Sequence, residues 1–452
     1  MNASPRHRAR KLTTLPLIAA TFFMVAGGSY GLEEMIAKTG FSTSILILLL
    51  VPLVWSLPTA LMLAELSSAL PAEGGFYIWV RRALGPFWGF QEAWLSLAAS
   101  IFDMAIYPTL FVLYLAKLWP WAGEGGHGMM IGAALITACT LWNLRGARAV
   151  GDSSVLFALV LLSPFFVMTV LGLWKGHGSL VLTPDTNRHA DLLGGILIGM
   201  WNFMGWDNAS TVAGEVENPQ RTYPLALIGA LLLITIDYAL PVMAVSRTGI
   251  DASSWDTGSW VDAAAYVGGP WLGYGVIVGG MLCGAGMFNA LIMSYSRLPM
   301  VLAEDGYLPR VFARRIESTQ VPWVSVVSCA VAWMIALGLN FERLIMIDVL
   351  LYGAALVLEF VALVMLRLRE PELPRPFRVP GGMVGAVLVG VVPTALIAIA
   401  FVKNRDEQIG GVSALWLALL FIVLGPLLYG FAEWRKARNP RFPLPQPEDV
   451  GV

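Results

Sequence analysis

Charged residues are scarce in this sequence. Asp, Glu, Lys and Arg make up 13% of its 452 residues, whereas an average soluble domain carries about 25%. Hydrophobic residues make up 57%, and the mean hydropathy is +0.70. So little charge excludes an ordinary soluble domain. The composition therefore predicts a polytopic membrane protein.

Cysteine and histidine are also scarce, which excludes several kinds of site. The three cysteines, Cys139, Cys283 and Cys329, lie in apolar runs at unrelated spacings, so they predict packing residues and no disulfide framework. The four histidines lie outside the apolar centres and cannot supply a catalytic cluster. We expect no enzyme activity, no metal and no cofactor. A net charge of −1 without a basic tract also excludes a nucleic acid partner.

Long apolar runs, in contrast, fill the chain. Each is close to the roughly 20 residues that a helix needs to cross a membrane. Twelve spans are predicted, at 14–37, 43–69, 87–118, 127–145, 153–174, 192–213, 225–246, 270–302, 321–340, 345–366, 381–402 and 412–434. The predicted fold class is an all-α integral membrane protein in the lipid bilayer.

The positive charges predict how the chain is oriented. If the N-terminus is cytoplasmic, 21 of the 29 Lys and Arg residues fall in cytoplasmic segments and 8 fall outside. Cytoplasmic loops carry such an excess, so both termini are predicted to be cytoplasmic in the cell membrane. The first span follows a basic start like a secretory signal, but eleven further spans favour an uncleaved helix.

Two of the predicted spans are interrupted near their middle. Residues 27–34 (GGSYGLEE) place three glycines and two carboxylates, Glu33 and Glu34, inside the first span, and residues 202–208 (NFMGWDN) interrupt the sixth. Such breaks are tolerated in a membrane only beside protein or a water-filled cavity, and they mark substrate sites in transporters. A seam of small residues that allows close helix packing is the alternative.

Acids within the spans lack a basic partner. No Lys or Arg is needed in the middle of a span, whereas six acids fall there: Glu33, Glu34, Asp103, Asp207, Asp237 and Glu359. Glu65 and Glu92 lie nearer the inner ends. A buried carboxylate without a partner is protonated or awaits a cation, so the missing charge is a substrate amine, a proton or sodium. The alternative for some of these acids is a position near an interface or a helix end.

Three further polar positions are candidates for the site. Asp103 and Tyr107 lie one helical turn apart near mid-membrane, where they bind a ligand or simply bond another helix. Trp201 precedes the second interruption and is a candidate gate, with packing as the alternative. Ser163 beside Pro164 either bonds a backbone carbonyl or coordinates an ion.

Four segments carry a family resemblance. They are residues 214–224 (GEVENPQRTYP) after the sixth span, 71–79 (PAEGGFYIW), Ser296-Arg297 with 303–309 (AEDGYLP), and 375–380 (RPFRVP). In their order and spacing, these segments resemble the amino acid, polyamine and organocation permease superfamily. Three features resemble the polyamine-uptake and L-type amino acid branch of this superfamily. They are the first interruption, the pair Trp206-Asp207 in the second interruption, and Tyr107-Pro108 in the third span.

The resemblance implies a fold and a set of site residues. The fold is a LeuT-like pair of inverted five-helix repeats with broken helices 1 and 6. It divides the chain into a tail 1–13, repeats 14–190 and 191–370, two peripheral helices 371–435 and a cytoplasmic tail 436–452. The implied substrate contacts are Gly27, Gly28, Ser29, Tyr30, Gly31, Asp103, Tyr107, Trp201 as the gate, and Asp207.

The resemblance also implies proton-coupled import of an organic amine by alternating access. Some proton-coupled relatives place a lysine in span 5, where this sequence has none. The coupling candidates are therefore Glu33, Glu34, Asp103, Asp207 and, for sodium, Ser163. The partners are a small amine, either a polyamine or an amino acid, and lipid. A sodium-coupled amino acid symporter and a non-transporting sensor are the alternatives, while a channel is disfavoured because no rings of polar residues recur.

Overall fold

The computed structural model of this chain describes residues 11–180, 182–184, 191–337, 341–403, 408–409 and 412–438. Most of the two predicted tails, 1–13 and 436–452, lies outside the described residues. Sixteen α-helices are found in the described part. They are α1 Thr14–Val25, α2 Glu33–Val51, α3 Leu57–Ala69, α4 Gly75–Leu84, α5 Pro86–Leu118, α6 His127–Asn143, α7 Ala147–Lys175, α8 Leu192–Asn202, α9 Pro219–Ser246, α10 Ser259–Gly268, α11 Pro270–Tyr295, α12 Arg297–Glu304, α13 Trp323–Ile335, α14 Phe341–Arg369, α15 Gly382–Lys403 and α16 Ala414–Arg438.

Shorter elements connect these helices. A π-helical turn joins α2 to α3 at Pro52–Ser56, where proline removes a helical N–H donor. An antiparallel pair of two-residue strands, β1 Gln408–Ile409 and β2 Val412–Ser413, precedes α16. The 3₁₀ turns are Pro120–Gly123, Trp206–Thr211, Ala213–Glu215, Ala252–Ser254 and Arg310–Ala313.

Eight helical stretches in the described residues are long and apolar enough to cross a membrane. They are Glu33–Ala69, Pro86–Leu118, Ala147–Lys175, Pro219–Ser246, Pro270–Glu304, Ile347–Arg369, Gly382–Val402 and Leu415–Arg438. Apart from the two-residue strands β1 and β2, the regular structure of the described residues is helical, so the prediction of an α-helical, multi-pass membrane protein is confirmed. The other predicted spans correspond to the shorter helices α1, α6, α8 and α13, so the count of twelve stays a prediction.

Burial separates a central group of helices from a peripheral one. In the most apolar part of α5, 72% of the residues are buried, and the value for the stretch containing α11 is 78%. The corresponding values for α15 and α16 are 22% and 17%. Helix α5 packs against both α11 and α14. The center of the bundle is therefore built around α5, while α15 and α16 expose apolar side chains at its edge.

One end of the bundle is rich in ion pairs. Arg81, Arg297, Arg315, Arg367 and Arg375 each contact a carboxylate there. We call this region the arginine-rich end. Helix α3 ends and α4, α5 and α12 begin near it, and α14 ends there.

Candidate functional site

The first interruption separates α1 from α2. Helix α1 ends at Val25 and α2 begins at Glu33, so the chain leaves the helix over the predicted glycine segment. Gly28 has a φ of +98°, a conformation that side chains disfavour. A Cβ atom there would lie 2.6 Å from a methyl carbon of Leu161. Both the backbone conformation and the close approach of α7 therefore require glycine at this position.

Side chains and backbone groups of distant helices hold the interruption in place. The Ser29 hydroxyl donates to the Asp237 carbonyl oxygen at 2.7 Å, and the Trp260 indole N–H donates to the Ser29 carbonyl oxygen at 2.8 Å. The Tyr30 hydroxyl donates to the Val276 carbonyl oxygen at 2.7 Å. These contacts bind the segment to α9, α10 and α11.

At the end of the first interruption, Glu33 is held by uncharged hydrogen-bond donors. Its carboxylate accepts hydrogen bonds from the Gly31 amide at 2.7 Å, the Tyr114 hydroxyl at 2.8 Å and the Gly258 amide at 3.2 Å. The side chain is fully buried. A carboxylate that already accepts three hydrogen bonds has a structural part in fixing the start of α2.

The second interruption lies against the first. Helix α8 ends at Asn202, and a 3₁₀ turn begins at Trp206 after Gly205, whose φ is +90°. A Cβ atom at Gly205 would lie only 2.4 Å from the Met24 carbonyl oxygen. Only glycine lets the end of α1 and the end of α8 approach so closely.

A cavity lies where the two interruptions meet. Its volume is about 20 Å³. That space holds about one water molecule, so this conformation is nearly closed. The lining residues are Met24, Val25, Ala26, Asp103, Tyr107, Trp201, Asn202, Met204, Gly205, Asn208, Met287, Tyr295, Asp348 and Tyr352.

Two buried carboxylates line this cavity. Asp103 accepts a hydrogen bond from the Tyr107 hydroxyl at 2.5 Å and one from the Tyr295 hydroxyl at 3.1 Å. Asp348 accepts a hydrogen bond from the Trp201 indole. No Lys or Arg is among the described residues that line the cavity. The site therefore carries acidic groups without a basic partner and is suited to a cation.

Asp207 stands directly behind the lining. Its carboxylate accepts a hydrogen bond from the Tyr352 hydroxyl at 2.5 Å, and the same hydroxyl accepts one from the Gly205 amide at 3.1 Å. Asp207 is buried. Tyr352 thus joins the cavity surface to a third carboxylate.

The structure brings some of the predicted site residues together and leaves others apart. Asp103, Tyr107 and Trp201 line the cavity, with Asp207 behind them. The glycine segment 27–31 lies beside the cavity without lining it. Sequence reasoning missed Asp348 and Tyr295. The four-residue spacing from Asp348 to Tyr352 was a signal that could have found Asp348.

Glu34 and Ser163, like Glu33, are coupling candidates that do not line the cavity. The Glu34 carboxylate accepts a hydrogen bond from the Thr257 hydroxyl at 3.4 Å, and Glu34 is half-buried. Ser163 is exposed on α7, and its hydroxyl donates to the Val160 carbonyl oxygen at 2.8 Å. Neither residue lines the cavity.

Nearly all of this chain is similar to known proteins. The profile of the family described as amino acid permease matches residues 18–425. Polyamine transporter RMV1 of Arabidopsis thaliana is 35% identical over 395 residues, 87% of this chain and 80% of that protein. Polyamine transporter PUT1 of Oryza sativa subsp. japonica is 35% identical over 451 residues, 98% of this chain and 83% of that protein.

A bacterial relative is more distant. Serine/threonine exchanger SteT of Bacillus subtilis is 26% identical over 441 residues, 93% of this chain and 94% of that protein. The matched region includes both interruptions and the cavity between them.

Proposed function

Because the chain belongs to the amino acid permease family, we propose that its cavity binds an organic amine and carries it across the membrane by alternating access. Family membership makes the chain a transporter and not an enzyme. The proposed architecture is twelve spans, with inverted repeats at 14–190 and 191–370 and two peripheral helices at 371–435. Two interrupted helices that meet at one cavity support this arrangement.

The observation that carries the proposal is the charge of the cavity. Asp103 and Asp348 both line it, and no Lys or Arg of the described residues does so. The C-terminal ends of α1 and α8, at Val25 and Asn202, also line it, and a helix presents its negative end there. Carboxylates and helix C-termini together favour an ammonium group.

Two carboxylates in one cavity favour a substrate with two positive charges. The ammonium groups of a diamine would pair with Asp103 and Asp348, with Asp207 adding negative charge behind them. A zwitterionic amino acid would bring its own carboxylate into this acidic cavity. We therefore favour a polyamine over an amino acid, in keeping with the names of the two relatives that are 35% identical.

Closure of the site is assigned to Trp201. Its indole lies on the cavity wall and donates to Asp348, one of the two carboxylates proposed to bind the substrate. The narrow cavity requires side chains to move before a diamine can enter. Movement of Trp201 away from Asp348 would open a route and expose a binding carboxylate at the same time.

Transport is proposed to be proton-coupled import across the cytoplasmic membrane. The excess of Lys and Arg in alternate segments supports an arrangement in which the arginine-rich end and both termini are cytoplasmic. Interior carboxylates without basic partners supply groups that can gain and lose a proton.

Uptake into proteoliposomes tests this function. Purified protein is reconstituted, and uptake of labelled putrescine, arginine and leucine is measured with an inward proton gradient, an inward sodium gradient or no gradient. Putrescine uptake driven by the proton gradient is the expected result. Sodium-driven uptake of leucine alone would replace the proposal with an amino acid symporter, and binding without any uptake would indicate a sensor.

A further inference from the structure

Helices α5 and α14 carry matching polar stripes. On α5, Glu92, Ser96 and Asp103 occupy positions four and seven residues apart, so they share one helical face. On α14, Asp348, Tyr352 and Glu359 repeat this spacing, and they also share one face. The two helices pack against each other.

The two stripes run in opposite directions and are level with each other. Arg82, just before α5, pairs with Glu370, just after α14, at 2.6 Å, which places these helix ends side by side. Asp103 and Asp348 both line the cavity. The helices are therefore antiparallel, with the cavity farther along both of them.

Glu92 and Glu359 form a second carboxyl level. Each lies eleven residues from the cavity aspartate of its own helix, toward the arginine-rich end. At about 1.5 Å per residue, this is a displacement of roughly 16 Å. Glu359 interacts electrostatically with both Glu92 and Asp207, and Glu92 interacts with Asp207. We call Glu92 and Glu359 the glutamate pair.

The glutamate pair is buried and incompletely bonded. Glu92 is 0% exposed and Glu359 is 1% exposed. Within the described part of the chain, one carboxyl oxygen of each, Oε2, has no hydrogen-bond partner. The Ser96 hydroxyl donates to the other oxygen of Glu92 at 3.4 Å. Two ionised carboxylates in this environment would be costly, because neither burial nor mutual repulsion is offset.

The charged neighbours of the pair supply no compensation. From the 3₁₀ turn after α8 comes Asp207, whose carboxylate is bound by Tyr352. Glu65 of α3, the acid that pairs with Arg367 on the same helix as Glu359, is engaged in that ion pair. Neither member of the glutamate pair has an ion pair with a described Lys or Arg.

From this arrangement we infer that the glutamate pair holds the proton that crosses the membrane with the substrate. The inference rests on the proposed proton-coupled transport. While the cavity is closed toward the arginine-rich end, one carboxyl keeps its O–H bond. Opening of that end admits water, the O–H bond breaks, the proton passes to water, and a hydrated carboxylate remains. Tyr352 lines the cavity and is bonded to Asp207, which interacts with both glutamates, so these two residues offer a polar route for reloading.

The coupling candidates named from sequence fit this role less well. The Glu33 carboxylate accepts three hydrogen bonds from neutral donors. Asp103 accepts two from tyrosine hydroxyls and lines the cavity, where the amine is proposed to bind. The glutamate pair combines full burial with unbonded oxygens and a position outside the amine site.

The test compares exchange with net accumulation in proteoliposomes. Glu92→Gln and Glu359→Gln mimic the protonated side chains. Each variant is expected to keep exchange of labelled putrescine, with putrescine on both sides and no gradient, within about twofold of wild type. Each should lose tenfold or more of the accumulation driven by an inward proton gradient, together with the proton influx reported by an internal pH dye. Exchange needs only the loaded protonated carrier, whereas net uptake requires the proton to leave.

Asp237→Asn is the matched control. Asp237 is also a buried acid in a long apolar helix and also has an oxygen, Oδ2, without a partner among the described residues. It lies on α9, apart from the two stripes. This variant is expected to keep both exchange and proton-driven accumulation.

Several results would overturn the inference, and they separate it from the proposed function. Proton-driven accumulation at wild-type level in both Gln variants would overturn it and leave proton-coupled transport standing. Wild-type accumulation driven by sodium alone, or loss of coupling only in Asp237→Asn, would also overturn it. Wild-type protein that exchanges no amine would remove the proposed function and the inference together.

An Asp replacement covers the case in which the Gln variants do not fold. Glu359→Asp keeps a titratable carboxyl on a shorter side chain. It is expected to keep proton-driven accumulation with an altered pH dependence. If Glu359→Asp exchanges putrescine and accumulates it with the pH dependence of wild type, the proton is held elsewhere and the inference fails.

Discussion

The acids of the interior and those of the arginine-rich end differ in their partners. In the interior, no member of the following set has an ion pair with a described Lys or Arg: Glu92, Asp103, Asp207, Asp348 and Glu359. At the arginine-rich end, every member of another set contacts an arginine: Glu65, Glu73, Glu215, Asp305 and Glu370. The same residue types therefore occur in two electrostatic settings.

Glu65 illustrates the paired setting. Its two oxygens accept from the Arg367 guanidinium, with Nε to Oε1 at 2.8 Å, and Arg375 lies at 3.3 Å. The Val379 amide adds a hydrogen bond at 2.7 Å. This carboxylate joins α3 to the end of α14 and to the loop that follows. Its charge is fully compensated inside the protein, so no ligand is needed to explain it.

Asp103 illustrates the unpaired setting. Among the described residues, the hydrogen-bond donors to its carboxylate are the hydroxyls of Tyr107 and Tyr295, and the side chain lines the cavity. Neutral donors reduce the cost of a buried negative charge without cancelling it. The comparison teaches that an acid within a membrane protein is informative about transport only when its partner is known.

The largest effect is expected on stability, from removing the acidic partner of a buried ion pair. Glu65→Gln would leave Arg367 and Arg375 buried without their carboxylate, and loss of one partner of a buried pair costs about 3–5 kcal/mol. We expect little folded protein and a strongly lowered melting temperature in detergent. Size-exclusion chromatography after heating measures this. Glu370→Gln is the control, because its pair with Arg82 is partly exposed and contributes less than about 1 kcal/mol.

Equal melting temperatures for Glu65→Gln and Glu370→Gln would contradict the comparison. In that case the buried cluster around Glu65 would not stabilise the fold, and its arginines would need another explanation.

The next largest effect is expected at the cavity. Asp103→Asn or Asp348→Asn should each raise the half-saturating concentration of putrescine at least tenfold, on the order of 1.4 kcal/mol. The physical reason is the loss of one carboxylate that is proposed to pair with an ammonium group. The concentration dependence of uptake by folded, reconstituted protein measures it. Half-saturation like that of wild type in both variants would show that these charges do not bind the substrate.

Asp207→Asn is expected to have a smaller effect, about fivefold on the same constant or close to 1 kcal/mol. Asp207 stands behind Tyr352, so its charge acts on the cavity from a greater distance. Tyr352→Phe serves as the comparison, because it removes the hydroxyl and keeps the charge. If Asp207→Asn has the half-saturating concentration of wild type and Tyr352→Phe has a raised one, the tyrosine hydroxyl contributes to binding and the Asp207 charge does not.

Ser163→Ala is expected to change uptake by less than about twofold, which is close to 0.4 kcal/mol. The side chain is exposed on α7, and its hydroxyl bonds a carbonyl oxygen of its own helix. Uptake is measured with proton and sodium gradients. Selective loss of sodium-driven uptake in this variant would restore Ser163 as an ion ligand.

Much of the architecture could be predicted from local sequence. Glycine at 27, 28, 31 and 205 and the polar residues beside it cannot continue an apolar helix in lipid, so both interruptions were predictable. The apolar runs likewise predicted a multi-pass helical protein. These properties depend on residues that are neighbours in the chain.

The partners of each acid could not be predicted. Glu33 has no nearby base in the sequence, and the hydrogen-bond donors to its carboxylate include Tyr114 and Gly258, which lie far away in the chain. Asp348 lies near the start of a predicted span and reaches the cavity only because α14 packs against α5. Glu65 pairs with Arg367, which lies 302 residues later in the chain. Tertiary contacts decide which acids are compensated.

Equilibrium binding of labelled putrescine to purified protein tests most directly whether the uncompensated cavity carboxylates receive an ammonium group. Wild type is compared with the double variant Asp103→Asn/Asp348→Asn, and excess leucine or excess unlabelled putrescine is the competitor. The predicted result is saturable binding to wild type that putrescine displaces and leucine does not, with binding lost in the folded double variant. Undiminished binding to that variant, or displacement by leucine alone, would contradict the account.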